Sequence, residues 1–597
     1  MTGDERQGEP AFDKPSTWTH VAGGATLALG SVGVLYSWFL VVTIGLAFGP
    51  RFGFWARLAA MVVGLAVMIA LSIWLSRRPT SVARPGPWLL AIAAGWTLAG
   101  AAFWYALGSP FTRSVPIVAL YAATTWWLLW VWLMFLVPWR PAARIGVLAV
   151  LLVIAGAFFG SVRGDGVDGN ALPLLAWRFA PAKDDWSARR GPGGASGFVE
   201  LAESEDEITR DYPRFRGADG LGTAHGEKLA RDWSGRVFKP RWRHAVGQAW
   251  SALAVAGRRV FTQEQRGGDE CVVCYARATG RQLWVHRDRA RYEMPGTGDG
   301  PRATPTVDGG HVFALGATGI LNCLDRRTGE GLWNVDILKD TGATAPIHGM
   351  VSSPLVLGGV VVVCAGGTND ASLVAYDRTT GRRVWAAGSD TAGYTSPLLV
   401  ELAGVPQIVI VTPRNLVAHD AKSGEVLWSA PFENDTNTNC SQPCPVGENR
   451  LFASANYGTG CTLLEASQGD GGAWNARQLW SNRTMQTKFA SAVIRGGQAY
   501  GLDNGILECI SLADGRRRWK QGRYGHGQLL LADDLLVISA EDGRVALVAA
   551  NPEEFLELGS FEALQGRTWN YPALAGGELF VRNDREAACY ELPREGD

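Results

Sequence analysis

The ten residues "RTGEGLWNVD", Arg327 to Asp336, have near copies through the back of the chain, and this repetition constrains the fold more than any other feature. The phrase recurs as "ATGRQLW" (278–284), "RTGEGLW" (327–333), "TTGRRVW" (379–385), "KSGEVLW" (422–428), a worn "ARQLW" (476–480) and "ADGRRRW" (513–519). The repeat tryptophans are Trp242, Trp284, Trp333, Trp385, Trp428, Trp480 and Trp519, spaced 42, 49, 52, 43, 52 and 39 residues apart. A period of about 40–50 residues, filled by alternating apolar segments and glycine-containing turns, predicts propeller blades, each a four-stranded sheet unable to bury its own face. Thr-Gly makes the turn between the third and fourth strands, with glycine supplying positive φ, and the tryptophan opens the outer strand and packs between blades.

Complete four-strand units begin near Trp250, Arg302, Met350, Tyr394, Asn439, Phe489 and Gly527. The C-terminal stretch "TWNYPALAGGELFVRNDREAACYELP" holds three strands, and "FKPRWRHAV", Phe238 to Val246, carries a repeat tryptophan with no blade before it. Joining the two closes an eighth blade and removes the open sheet edge.

The front of the chain is chemically unlike this. From Lys14 to Arg163 there is no Asp or Glu, and five apolar stretches lie at roughly 22–49, 56–76, 87–107, 115–137 and 144–161. Each approaches the ~20 residues needed to cross the bilayer core. The predicted class is therefore an N-terminal α-helical membrane domain of five transmembrane helices followed by an all-β eight-bladed propeller. Its parts are a cytoplasmic tail (1–20), the membrane domain (21–162), a linker and lead-in (163–236) and the propeller (237–597).

Orientation follows from the loop cations, which are retained on the cytoplasmic side. A cytoplasmic N-terminus places Arg6, Lys14, Arg77, Arg78, Arg84, Arg140 and Arg144 inside and Arg51, Arg57 and Arg113 outside. Five crossings then deliver the propeller to the periplasm of a double-membrane cell. No ionisable residue stands in mid-span to mark an ion or proton path, so the helices read as an anchor or as packing partners for other helices. The first 164 residues carry 11 Lys and Arg against 4 Asp and Glu, leaving 45 against 52 behind them. An acidic back half excludes nucleic acid as a partner, because phosphate affinity comes from Lys and Arg.

The pattern Y-D-x-x-T-G-x-x-x-W, as at Tyr376 to Trp385, resembles the repeat of the pyrroloquinoline-quinone-like propeller superfamily over about 236–593, and "YPRFRGADG" (212–220) resembles its lead-in. "GPRATP", "GRYGHGQLLL" and "TWNYPAL" are most similar to a bacterial group described as similar to the propeller subunit of the outer-membrane β-barrel assembly machinery. That likeness implies a protein-binding scaffold, partnered by periplasmic or envelope proteins, without catalysis or cofactor. The alternative is a quinoprotein dehydrogenase resembling the membrane-bound glucose dehydrogenases, which would hold pyrroloquinoline quinone (PQQ) with Ca²⁺ over a Trp platform beside an Asp base. The vicinal Cys-Cys pair of the alcohol-oxidising members does not occur. In "CVVC", Cys271 and Cys274 fall on opposite faces of a strand about 10 Å apart, too far for a disulfide. Cys440 and Cys444 could bridge a loop, and no metal site is expected.

Inner strands start on the face that carries the connections between blades, so residues there surround one channel mouth. The loops on that face supply Glu264, Arg266, Arg302, His348, Lys488, Arg523, His526, Asn570 and Arg582. Pooled cations and carboxamides of this kind suit a small anionic or polyhydroxylated ligand. Trp250 or Trp569 would floor the site.

Overall fold

The computed structural model describes residues 153, 157, 160–170, 173–179 and 211–596, less 234, 295 and 368. Four predicted spans lie outside these residues, and the fifth is described only at 153, 157, 160 and 161. Among the described residues no helix is long and apolar enough to cross a membrane. The chain divides into two compact units, Met1–Arg163 with Asn170–Leu172, and Gly164–Gly169 with Pro173–Asp597.

The second unit contains eight antiparallel blades. Blade two shows the plan, with Thr306–Asp308 innermost, then His311–Leu315, Ile320–Asp325 and, outermost, Gly331–Asp336. Blade eight joins Ala573–Ala575, Glu578–Arg582 and Glu586–Glu591 to Pro240–Ala245, so the ring closes as predicted, with Trp242 opposite Cys589.

The repeated phrase works because its parts interlock between neighbouring copies. In every blade the register between the third and fourth strands shifts one residue before the tryptophan position, a bulge that re-aims that side chain. The indole then lies against the turn glycine of the next blade. A Cβ on Gly280, Gly329, Gly381 or Gly424 would come within 2.3–2.8 Å of Trp242, Trp284, Trp333 or Trp385. The Trp284 and Trp333 indoles also donate to the next blade's carbonyls, to Arg326 O at 3.1 Å and Arg378 O at 3.0 Å. Glycine is thus needed both for its φ of +66 to +77° and for its missing side chain. The turn aspartate completes the unit: Asp377 Oδ1 accepts from the Thr379 and Thr380 N–H groups and the Thr380 hydroxyl. Blade five, where the phrase is worn, offers no such glycine, and the Trp428 indole donates instead to Gln407 Oε1 within its own blade.

Blade seven has glycine, Gly559, at the tryptophan position. The room is taken by Trp233, whose Cβ would lie 2.6 Å from a Cβ on Gly559. Part of the segment read as linker and lead-in, 163–236, is thus built into the propeller. Tyr212, Leu229 and Trp233 belong to the propeller core, and Thr223–Ala224 adds a parallel strand to Leu531–Ala532. Tyr212 also pairs with Val255, Pro213 O accepts from Val307 N, and Arg216 Nη2 donates to Ala492 O, so the lead-in reaches across the ring to blades one, two, six and seven.

All nine cysteines are free. The proposed Cys440–Cys444 bridge is therefore absent, and four of the nine have a packing reason. Cys274, Cys323, Cys509 and Cys589 stand directly opposite Trp284, Trp333, Trp519 and Trp242, a small buried side chain facing a large indole.

Around the axis the residues entering the inner strands form a buried hydrogen-bonded belt. Ala252 N donates to Thr304 Oγ1 (3.1 Å), Thr304 N to Ser353 Oγ (2.9 Å), Ser353 N to Ser396 Oγ (2.8 Å), Ser396 N to Gln442 Oε1 (2.7 Å) and Gln442 N to Ser491 Oγ (2.9 Å). Each bond ties one blade to the next and satisfies a backbone donor shut away from water.

Candidate functional site

The nine residues predicted for the mouth separate into three groups. Glu264, Arg266 and Arg582 are buried structural members of blades one and eight. Glu264 accepts from Arg266 Nε (2.8 Å), the Tyr275 hydroxyl (2.5 Å) and Gly247 N (2.8 Å). Arg582 donates to Thr262 Oγ1, Gln263 O and Gly247 O. Asn570 is also buried and holds the carbonyls of Ala249 and Ser251. The segment expected to present Glu264 and Arg266 as a loop is mostly strand, since Arg259–Arg266 and Asp269–Ala276 pair with each other and are joined at a tight turn, Gly267–Gly268. Arg523 ends the outermost strand of blade six and is exposed at the rim, because a blade's fourth strand lies farthest from the axis.

Arg302, His348, Lys488 and His526 enter inner strands and share one neighbourhood. Arg302 donates to His348 O and Gly298 O, both at 2.9 Å, and lies over the Tyr292 ring. The Lys488 ammonium stands 5.5 Å from the Tyr457 ring centroid and 5.3 Å from that of Phe489. Arg302 and Lys488 both act on the Cys440 thiol, which burial pushes up to about 12. Burial brings His348 down to about 4, helped by Arg302, and His526 to about 4, helped by Lys488. Both imidazoles are therefore neutral at ordinary pH and too weakly basic for general base work. Burial also lowers Lys488, against the pull of Glu541.

Sequence reasoning missed Arg567 and Glu541. The Arg567 guanidinium lies 4.8 Å from the Trp250 ring and 4.4 Å from that of Trp569, and the two indoles are 4.9 Å apart. Glu541 Oε1 accepts from the Trp569 indole at 2.8 Å, and Oε2 from His526 N at 2.8 Å. Trp250 and Trp569 thus flank a cation, a role that their place ahead of inner strands hints at but that only the facing Arg567 reveals.

A Ca²⁺-bound quinone would need hard oxygen ligands beside the paired indoles. Among the described residues no group of three or more His, Cys, Asp or Glu is placed to hold a metal. Glu541, the acid nearest the paired indoles, is engaged at both oxygens. Among the described residues this donor set does not supply the carboxylate ligands of a Ca²⁺–quinone site.

The described residues thus form an eight-bladed propeller with cations and indoles at one mouth. Residues 233–345 and 268–521 match the family model described as "Outer membrane protein assembly factor BamB". The chain is 24% identical over 424 residues to the outer membrane protein assembly factor BamB of Burkholderia pseudomallei, covering 68% of this chain and 97% of that one. It is 28% identical over 218 residues to a quinoprotein ethanol dehydrogenase of Pseudomonas aeruginosa, covering 32% and 34%. The crystal structure of BamB from Moraxella catarrhalis aligns with a TM-score of 0.45 at 15% identity, covering 61% of this chain and all of that one.

Proposed function

We propose that this chain is an inner-membrane-anchored periplasmic β-propeller that acts as a binding scaffold without catalysis, taking an anionic or polyhydroxylated group of a ligand or envelope protein at the mouth. The observation that carries the reading is Arg567 between Trp250 and Trp569, with Arg302 and Lys488 in the same aromatic-lined opening. Cations with fixed donors bind carboxylate and sugar oxygens, and flat rings accept the apolar face of a sugar. Relatives named assembly factors align over nearly their whole length, which supports a protein-interaction role. The dehydrogenase relatives cover about a third of the chain or less.

Glucuronate, which is both anionic and polyhydroxylated, serves as a probe in calorimetric titration of the full chain. Arg302→Ala with Lys488→Ala should weaken it by about 1.5–3 kcal/mol per charged hydrogen bond lost. Affinity should stay flat between about pH 5 and 8, because the two histidines titrate lower, and should decline on the alkaline side as Lys488 deprotonates below the ordinary lysine range. Unchanged affinity in the double variant would remove the mouth from the account.

Anchoring and side are tested separately. A reporter active only in the periplasm, fused after Asp597, should work, and one inserted near Thr80 should stay silent. The reverse pattern would overturn the arginine argument.

A further inference from the structure

The mouth already holds a piece of this chain. Gly166–Gly169, the sequence "GVDG", lies against the same residues that the binding reading uses. Val167 N donates to Gly296 O at 3.0 Å, and Arg567 Nη1 donates to Val167 O. Gly169 N donates to Glu541 Oε1 at 2.5 Å, and Lys488 Nζ donates to Gly169 O. Two cations, one carboxylate and one carbonyl thus meet two peptide C=O and two N–H groups in turn. This pattern reads a main chain rather than a side chain.

The slot is also cut for glycine at two places. A Cβ on Gly169 would come 2.3 Å from His526 Cδ2 and 2.7 Å from its Cβ, and His526 is buried. One on Gly166, at a φ of +106°, would stand 2.8 Å from Gly296 O and 3.0 Å from Arg567 Nη1. The segment meets the blades through these polar contacts, and the strand it belongs to, Val162–Val167, pairs with Pro173–Trp177 in a separate two-stranded sheet rather than joining a blade, whereas the lead-in contributes Tyr212, Leu229 and Trp233 to the core. Trp177 and Phe179, which follow shortly after, are 57% and 74% exposed. The lead-in is therefore a permanent part of the ring, and Gly166–Gly169 is an exchangeable occupant.

We propose that the mouth is a main-chain recognition site for a Gly-x-x-Gly segment of a partner protein, and that Gly166–Gly169 is its internal competitor. The proposal rests on the mouth being the binding face and names the ligand class. A tethered occupant acts at an effective concentration on the order of millimolar, so a partner segment displaces it only when it binds more tightly or arrives linked to a second contact.

The test uses the full chain and a fluorescent peptide of residues 164–170, Gly-Asp-Gly-Val-Asp-Gly-Asn, followed by anisotropy. Gly169→Val should expel the internal segment and tighten peptide binding about tenfold or more over the unaltered chain. Gly166→Val should act in the same direction. Adding Lys488→Ala and Arg567→Ala to Gly169→Val should abolish the gain, and a peptide with both outer glycines, those of 166 and 169, replaced by valine should not bind. Equal affinity for the unaltered chain and both glycine variants, or equal binding of the valine peptide, would overturn the proposal. Glucuronate titrated into Gly169→Val separates the two readings. If it binds and Lys488→Ala abolishes that binding while the peptide fails, main-chain recognition falls and the binding mouth stands; if neither probe binds, both fall.

Discussion

Trp242→Ala is expected to lower stability by about 3–5 kcal/mol, the range for deleting a large aromatic from a close-packed interior. Trp242 sits on the N-terminal strand that completes the C-terminal blade, so its loss strikes the seam that closes the ring. Its indole is 7% exposed, donates to Arg277 O at 2.8 Å, and fills the space left open by Gly280. Removal leaves a cavity and an unpaired carbonyl, and both terms have the same sign. Trp333→Ala should cost less, because that indole is partly exposed although its partners are equivalent. Urea denaturation measures both. A loss under about 1 kcal/mol at Trp242 would mean that the interlock between copies is not what closes the propeller.

Glu264→Gln should be nearly as costly, at about 3–5 kcal/mol, while leaving glucuronate binding unchanged. Glu264 is fully buried; burial opposes its ionisation, but Arg266 and Arg582 overcome this and hold its carboxyl below the usual carboxylate range. Neutralising it leaves Arg266, 4% exposed at its side chain, with no carboxylate to answer its charge at that contact. The lowered carboxyl also fixes the sign of the pH dependence. Stability from this group is fully present above the unfolded value of about 4.3 and is lost as pH falls through the lower folded value. The unaltered protein should therefore lose this contribution only below about pH 4.3, and Glu264→Gln should lack it at every pH. A matching loss of glucuronate affinity would instead return Glu264 to the mouth.

The blade count, the turn glycines and the strand that closes the ring were legible in the sequence because each depends on one short phrase meeting the next copy of itself. The phrase even marks its own exception, since the worn copy in blade five coincides with Trp428 turning back to Gln407. Polarity at a strand end was a poorer guide. Glu264, Arg266 and Arg582 read as solvated mouth residues, yet they complete one another across the seam of blades one and eight, some 320 residues apart in the chain. The cysteines of "CVVC" misled less: Cys274 is small because Trp284 stands opposite, a pairing visible once the bulge sets the register.

The sequence by itself determined the repeating unit, because the contacts of tryptophan, glycine and aspartate are satisfied within a blade or between adjacent blades and so recur as spacing. Only the tertiary structure decided what stands at the axis. There each blade contributes a few residues that meet others from distant copies, so whether a charge is buried, paired or presented depends on partners that no local pattern encodes. Arg567 between Trp250 and Trp569 is the clearest case: closure of the ring brings the first inner-strand tryptophan beside the last, and that juxtaposition gives the guanidinium its place.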